Sequence, residues 1–139
     1  MPDNSRPIAT ILVSRPGIME QSLRSALAAY PQIVVVATAG DGLSAVQQIV
    51  EHQPGLLVLD SNLLAEEIAA LLGVAKAKQP PICCLVFARS MHQERHLLAS
   101  GADAVAHRDW STHELHAALA RLVQTPGEAE VQRNMKGLT

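Results

Sequence analysis

The chain has 139 residues, of which 48% are hydrophobic, 17% charged and 2% aromatic, and its formal net charge is −2. These values exclude a disordered chain and give no electrostatic footprint for nucleic acid or an anionic membrane surface. No apolar run approaches the ~20 residues of a membrane span, and the N-terminal residues lack the apolar core of a signal peptide, so we expect a cytoplasmic protein.

Apolar runs of strand length alternate with segments of helical period along the chain. The predicted strands are residues 8–13, 33–38, 56–59, 82–86 and 104–106, and the predicted helices are residues 18–29, 42–52, 65–77, 91–100 and 112–123. The strands are continuous aliphatic runs, which is expected of parallel strands that are covered by helices on both faces. Five β-α units with short connections therefore predict one α/β domain, residues 1–124, with a parallel, doubly wound sheet.

One carboxylate stands out because of its place in this pattern. Asp60 follows the wholly apolar run 56–59, and ligands of open α/β sheets bind beyond the carboxyl ends of the strands. A carboxylate there can coordinate a metal, act as a base or accept a phosphoryl group. The two cysteines, Cys83 and Cys84, are neighbours in a predicted strand and point to opposite faces. We expect them to be buried small hydrophobes rather than disulfide partners or redox groups.

Four stretches together resemble a known family. They read VVATAGDG at 35–42, LLVLDSNL at 56–63, GADAVAHRD at 101–109 and STHEL at 111–115, the start of the last helix. In their order and spacing, residues 8–123 resemble a response-regulator receiver domain of the NarL/LuxR type. The resemblance implies a flavodoxin-like (βα)5 fold with sheet order 2-1-3-4-5 and a role in two-component signal transduction, with a histidine kinase as a possible partner.

The resemblance also assigns a role to Asp60, which matches the phosphoacceptor of the family. A working receiver needs two acidic residues for Mg²⁺ after the first strand, a Thr or Ser at the end of the fourth strand and a Lys at the end of the fifth. This sequence departs at each place: Ser14 and Arg15 replace the acidic pair, Val86 (or Phe87, if the alignment shifts by one) replaces the hydroxyl, Val105 replaces the switch aromatic and Arg108 replaces the lysine. We expect a pseudo-receiver with a degenerate phosphorylation site.

Mg²⁺ binding is doubtful in such a site. The ion prefers anionic oxygen ligands and gives up its water reluctantly, and Asp60 is the one carboxylate left. We therefore expect no metal or cofactor and no phosphorylation by the usual Mg²⁺-dependent route. Two fates of Asp60 stay open: Arg15, Arg108 or both neutralise it in an ion pair, or it is solvated and both arginines point into water. A structure with neither arginine within about 4 Å of the carboxylate would exclude the pairing.

The only tryptophan also has two interpretations. Trp110 is a candidate interface anchor, since exposed tryptophans are enriched in binding hot spots. Alternatively, Ser111 is the N-cap of the last helix, and Trp110 then packs on Leu115 as a hydrophobic staple. The spacing of these three residues favours the staple.

The leading hypothesis is a non-enzymatic receiver-like module that acts through a protein partner or as a homodimer, without direct nucleic-acid or membrane binding. The alternative is a receiver that is still phosphorylated at Asp60 and regulates transcription through an output domain missing from this chain. A small α/β enzyme that uses Asp60 with His107 or Arg108 is a third possibility. Residues 125–139 are polar and faintly resemble the opening of a LuxR-type helix-turn-helix domain, so we expect a linker or tail there.

Overall fold

The computed structural model describes residues 7–123 of the chain. Five strands alternate with five helices over this range. In chain order they are β1 (Ile8–Val13), α1 (Ile18–Ala28), β2 (Ile33–Ala39), α2 (Gly42–His52), β3 (Leu56–Leu59), α3 (Ala65–Ala77), β4 (Cys83–Ala88), α4 (Met91–Ala99), β5 (Ala104–His107) and α5 (Thr112–Leu122).

The five strands form one sheet in the order β2-β1-β3-β4-β5, and every neighbouring pair is parallel. This confirms the predicted flavodoxin-like topology. The order reverses between β1 and β3, and this reversal is the point where open α/β sheets bind their ligands. Asp60 follows β3 directly, so the fold places it at the centre of that edge.

Alternate side chains of each strand point to opposite faces of the sheet, so the sheet has two cores. In β3, Leu57 and Leu59 belong to a cluster on the side of α2, α3 and α4, whereas Leu56 and Val58 belong to a cluster on the side of α1 and α5. All four side chains are 0–1% exposed. Burial on both faces explains why the strand sequence shows no alternation of polar and apolar residues.

The predicted element types are all confirmed, and the bounds differ by one or two residues. β2, β4 and β5 each extend beyond their predicted ends because they find partners there: Ala39 pairs with Val13, and Ala88 pairs with His107. The ladder between β1 and β2 shifts by one residue and leaves Val36 unpaired in the edge strand. The predicted linker or tail, residues 125–139, lies outside the described residues.

Helix N-caps place the loops that surround the switch point. Asp41 accepts a hydrogen bond from the Ser44 backbone N–H (2.7 Å) at the start of α2. Ser111 caps α5, as the sequence predicted, and exchanges hydrogen bonds with Glu114. Within residues 7–123, no helix is long and apolar enough to span a membrane.

Candidate functional site

The carboxylate of Asp60 lies beneath the surface at the end of β3, with 0% of the residue exposed. Its backbone N–H donates to the Val13 carbonyl (2.9 Å), which fixes the start of the loop against β1. The Ser14 hydroxyl donates to Oδ2 (2.6 Å), and the Ser61 backbone N–H donates to Oδ1 (2.6 Å). Each carboxylate oxygen thus has a close donor, as a buried charge requires.

A second polar residue of the same loop joins this network. The Asn62 side-chain amide donates to the Ser14 Oγ (3.3 Å), and its carbonyl oxygen accepts the Arg15 backbone N–H (3.1 Å). Asn62 therefore fastens the loop after β3 to the loop after β1. Sequence reasoning missed this residue, because the network depends on two loops that lie far apart in the chain.

The Arg15 side chain turns away from Asp60 and forms an ion pair with Glu67 (Nη2 to Oε1, 2.5 Å). Its other terminal nitrogen donates to the Gly40 carbonyl (2.6 Å). The Glu67 carboxylate also accepts the backbone N–H groups of Gly42 (3.0 Å) and Leu64 (2.9 Å). One guanidinium and one carboxylate thereby join the loops that follow β1, β2 and β3.

The pairing of Asp60 with an arginine was wrong. Among the described residues, neither Arg15 nor Arg108 forms an ion pair with Asp60, while Arg15 pairs with Glu67. Arg108 is exposed to solvent. The competing expectation of a solvated Asp60 was wrong as well, since hydroxyl and backbone donors hold this carboxylate in a buried pocket.

Hydrogen bonding sets the ionisation of the acidic groups around these loops. Burial raises the pKa of Glu67, but hydrogen bonds from Leu64, Gly42 and Arg15 outweigh it and leave the pKa below its ordinary value. The hydrogen bonds from Ser44 likewise lower the pKa of Asp41. Both side chains are therefore anionic at neutral pH, and Glu67 is matched by the charge of Arg15.

Apolar side chains of β4 and β5 lie beside the Asp60 pocket. Leu59 pairs with Val86, so the position level with Asp60 in β4 is Phe87, the second residue that the sequence had left open for the hydroxyl. Val86 and Phe87 are both buried (0% and 3% exposed). Val86 pairs with Val105 across the two strands, so neither candidate for the hydroxyl position has a hydroxyl, and the position of the family's switch aromatic holds a packed valine.

Two contacts on the β4 and β5 side of the pocket were not foreseen. The Arg89 Nε donates to the Ser61 carbonyl (2.8 Å), which ties the loop after β4 to the loop after β3. His107, at the end of β5, forms a hydrogen-bonded pair with Glu94 of α4 (2.7 Å). No sequence motif connects Arg89 with Ser61 or His107 with Glu94, so these partners could not be predicted from the sequence.

Trp110 is half-buried and packs against the cluster on the α1 and α5 side, to which Leu115 also belongs. This packing agrees with the staple at the start of α5. Its ring also lies 5.7 Å from the ring of His107. A role of Trp110 as an interface anchor stays a prediction. Within residues 7–123, no three His, Cys, Asp or Glu side chains are grouped as metal ligands.

Comparison with solved structures places the fold. The receiver domain of the response regulator NarL from Mycobacterium tuberculosis matches with a TM-score of 0.73 and 19% identity, covering 84% of this chain and 95% of that one. A LuxR-family DNA-binding response regulator from Staphylococcus aureus matches with a TM-score of 0.72 and 16% identity, over 83% and 98% of the two chains.

A LuxR-family two-component response regulator from Aurantimonas sp. matches with a TM-score of 0.71 and 21% identity, over 89% and 94% of the two chains. Neither the family models nor the curated proteins compared with the chain gave a match. The chain thus has the receiver-domain fold of two-component response regulators. Because the sequence identities are only 16–21%, the comparison establishes the fold alone.

Proposed function

We propose that this chain is a receiver-like module of two-component signal transduction that acts through protein contacts and is not phosphorylated at Asp60. The observation that carries the proposal is the closure of the Asp60 pocket. The residue has no exposed surface, and its Oδ2 is bound by the Ser14 hydroxyl at 2.6 Å. A phosphoryl donor must reach a carboxylate oxygen in line with its leaving group, whereas this carboxylate is buried and the Ser14 hydroxyl is bound to one of its oxygens.

The side chains at the pocket do not fit the Mg²⁺ that the resemblance implies. Mg²⁺ takes octahedral oxygen ligands and favours carboxylates. The Ser14 hydroxyl donates its hydrogen bond to Asp60, and Arg15 places a positive charge where the family has its second acidic residue. Glu67, the nearby carboxylate, is already engaged by Arg15 and two backbone N–H groups. We therefore propose that the module uses no metal and has no catalytic role of its own.

The path by which a receiver reports phosphorylation is also altered. Phosphorylation changes the surface of a receiver only through a structural element that has two conformations and is shifted from one to the other. Val86 and Phe87, the two candidates for the hydroxyl position, are both buried, and Val86 is paired and packed with Val105 in one hydrophobic cluster. Neither candidate has a hydroxyl to move toward a phosphoryl group, and Val105 has no ring to rotate. This supports a module with one constitutive conformation.

Phosphorylation with a small donor tests the proposal. The full chain is incubated with acetyl phosphate and Mg²⁺, and intact-mass spectrometry follows the adduct, with an intact receiver domain treated in parallel as the positive control. The expected result is no adduct on this chain under conditions that label the control. Beryllofluoride with Mg²⁺ should likewise leave its amide NMR spectrum unchanged.

The Asp60→Asn variant decides what a positive result means. An adduct on the natural chain that disappears in Asp60→Asn would contradict the proposal and favour a receiver that still takes a phosphoryl group, the reading in which an output domain regulates transcription. An adduct that persists in Asp60→Asn reports labelling elsewhere on the chain and leaves the closed pocket as proposed. Contact with a protein partner, such as a histidine kinase, or with a second copy then provides the signal.

A further inference from the structure

Four large apolar side chains are exposed along the edge of the sheet that contains Asp60. They are Ile18 (81% exposed), Leu43 (75%), Leu64 (58%) and Met91 (78%). Each is at or next to the first residue of the helix that follows one of the strands β1 to β4. Because the carboxyl ends of parallel strands meet at one edge, the four side chains surround the closed pocket, and we call them the apolar rim.

Hydrogen bonds connect the loops that carry three of the four side chains of the apolar rim, Leu43, Leu64 and Met91. Glu67 accepts the N–H groups of both Gly42 and Leu64, so Leu43 and Leu64 flank the same carboxylate. On the side of α4, Arg89 binds the Ser61 carbonyl and brings the start of α4 to the loop after β3. Large apolar patches on a soluble protein mark sites of contact with another surface.

The charges beside the apolar rim differ between its two ends. The end formed by α2 and α3 carries exposed Asp41 and Glu66 beside the Arg15–Glu67 ion pair. The end formed by β4 and β5 carries exposed Arg89 and Arg108 together with two acids, exposed Asp109 and half-buried Glu94. In a pair of molecules related by a two-fold axis, the same patch meets itself in the opposite direction. The acidic residues Asp41 and Glu66 of one copy then face Arg89 and Arg108 of the other, with the apolar side chains between them.

We propose that the apolar rim is the contact by which two copies of this chain form a symmetric dimer over their closed Asp60 pockets. The proposal rests on the proposed function, because a dimer in this place covers the edge that a phosphoryl donor would need. Burial of exposed leucine and methionine side chains supplies the attraction, and the charges at the two ends set the two-fold orientation.

Sedimentation equilibrium of the full chain tests this, over a concentration range from about 1 μM to about 1 mM, in which weak interfaces dissociate. The test variant is Leu43→Glu with Met91→Glu, because glutamate is favourable in the first turn of a helix and both helices should be retained. The matched control is Val50→Glu with Leu98→Glu, which changes exposed apolar residues near the other ends of the same two helices (62% and 46% exposed).

The expected result is a dimer of the natural chain, a dissociation constant raised about tenfold or more in the test variant, and little change in the control. Circular dichroism verifies that each variant is folded. Should the test variant not fold, Glu66→Arg and Arg108→Glu give a second test: each alone weakens the dimer, and the two together restore it.

A natural chain that stays monomeric over the whole range overturns the dimer. So does a dimer that the control weakens as much as the test variant, or one whose affinity ignores both charge reversals. None of these results depends on the acetyl phosphate experiment, so the dimer proposal can be wrong while the proposed function, a module that is not phosphorylated at Asp60, remains valid. A phosphorylated Asp60 in a chain that still dimerises would instead overturn the proposed function alone.

Discussion

A buried carboxylate without a cation beside it depends on the hydrogen bonds that reach it. Asp60 receives two from side chains, the Ser14 hydroxyl to Oδ2 at 2.6 Å and the Ser61 hydroxyl to Oδ1 at 3.4 Å, in a pocket with no solvent exposure. Leaving a buried acceptor without its donor costs the desolvation free energy of that acceptor, which is larger for a charge than for a neutral group. Ser14 is therefore a stabilising residue at a position where the family resemblance implies an acidic Mg²⁺ ligand in working receivers.

Replacement of Ser14 by alanine measures this dependence. We expect Ser14→Ala to lower the free energy of unfolding by about 2 kcal/mol, because Oδ2 of Asp60 loses its donor. Urea unfolding followed by circular dichroism gives the value. The control Ser22→Ala changes an exposed serine of α1 and should stay within about 0.5 kcal/mol of the natural chain. Equal, small effects of both substitutions would show that water satisfies Asp60 instead.

Glu67 gives a prediction with a pH dependence. Its pKa is lowered in the folded protein, so the carboxylate contributes stability above its unfolded pKa and loses it as the pH falls through the folded pKa. We expect Glu67→Gln to cost about 1 kcal/mol near neutral pH, because the ion pair with Arg15 is lost and the hydrogen bonds weaken. This cost should shrink as the pH is lowered below 4.5, the ordinary pKa of the group.

Urea unfolding at a series of pH values measures the difference between Glu67→Gln and the natural chain. Glu66→Gln is the matched control, since Glu66 is the exposed neighbour of Glu67 on the same turn of α3. Its difference from the natural chain should be small at every pH. A cost of Glu67→Gln that does not change with pH would contradict the role assigned to the ionised carboxylate.

The same residues show what the sequence could and could not predict about the site. It predicted the place of Asp60, because an apolar run followed by an acidic residue can be recognised in the sequence alone. It could not predict the partner of Arg15, since Glu67 is 52 residues away and becomes a neighbour only through the fold. A signal for Glu67 existed in its spacing of three residues from Leu64, but a leucine at the N-cap hides the usual capping pattern.

At the scale of the element, β4 shows how packing controls chemistry. Burial, reinforced by Asp103, raises the pKa of Cys83 to about 11. Burial raises the pKa of Cys84 to about 12, although the nearby Lys76 opposes the shift. A thiol reacts as its thiolate, so both cysteines should be inert in the folded chain near neutral pH, as their place within a strand predicted.

Alkylation by iodoacetamide tests this for the strand as a whole. At pH about 8 we expect both thiols of the folded chain to react about two orders of magnitude more slowly than those of the chain unfolded in urea, since the thiolate fraction and access both fall. Mass spectrometry of quenched samples gives the two rates. Rapid labelling of Cys84 in the folded chain would mean that β4 opens readily, because this side chain is 0% exposed.

The raised thiol pKa values also give a dependence of stability on pH. Above the ordinary thiol pKa of 9.0, the unfolded chain loses protons that the folded chain keeps. Stability should therefore fall as the pH rises from about 9 toward 11. The double variant Cys83→Ala with Cys84→Ala should lose this part of the decline in urea unfolding, and an unchanged decline would place its origin in other groups.

At the scale of the molecule, the sequence predicted the sheet order and all ten elements, because periodicity and short connections leave few topologies for five β-α units. The strand ends were missed by one or two residues, since a strand continues as far as its neighbour offers hydrogen bonds. Ala88 and His107 extend β4 and β5 together in this way. Neither alanine nor histidine is a residue type that favours strands, so the strand ends are set by backbone hydrogen bonding between β4 and β5.

One sheet with a core on each face should unfold as one unit, and this gives the last prediction. Leu72 of α3 and Leu119 of α5 are both 0% exposed and belong to the clusters on opposite faces. Replacing either by alanine should cost about 3 kcal/mol, because it removes buried methyl groups and leaves a cavity. Because both clusters contain side chains of the same strands, neither face can stay folded after the strands separate from one another.

Two optical signals follow the unfolding of Leu72→Ala and Leu119→Ala in urea. Far-ultraviolet circular dichroism reports every helix, and the fluorescence of Trp110, the only tryptophan, reports the face of α1 and α5. We expect the two curves to coincide in the natural chain and to shift together in each variant. If Leu72→Ala moved the dichroism curve and left the Trp110 curve in place, the two faces would be separate units. A contact made on one face would then leave the stability of the other unchanged, whereas coincident curves mean that the closed pocket and both cores gain or lose stability together.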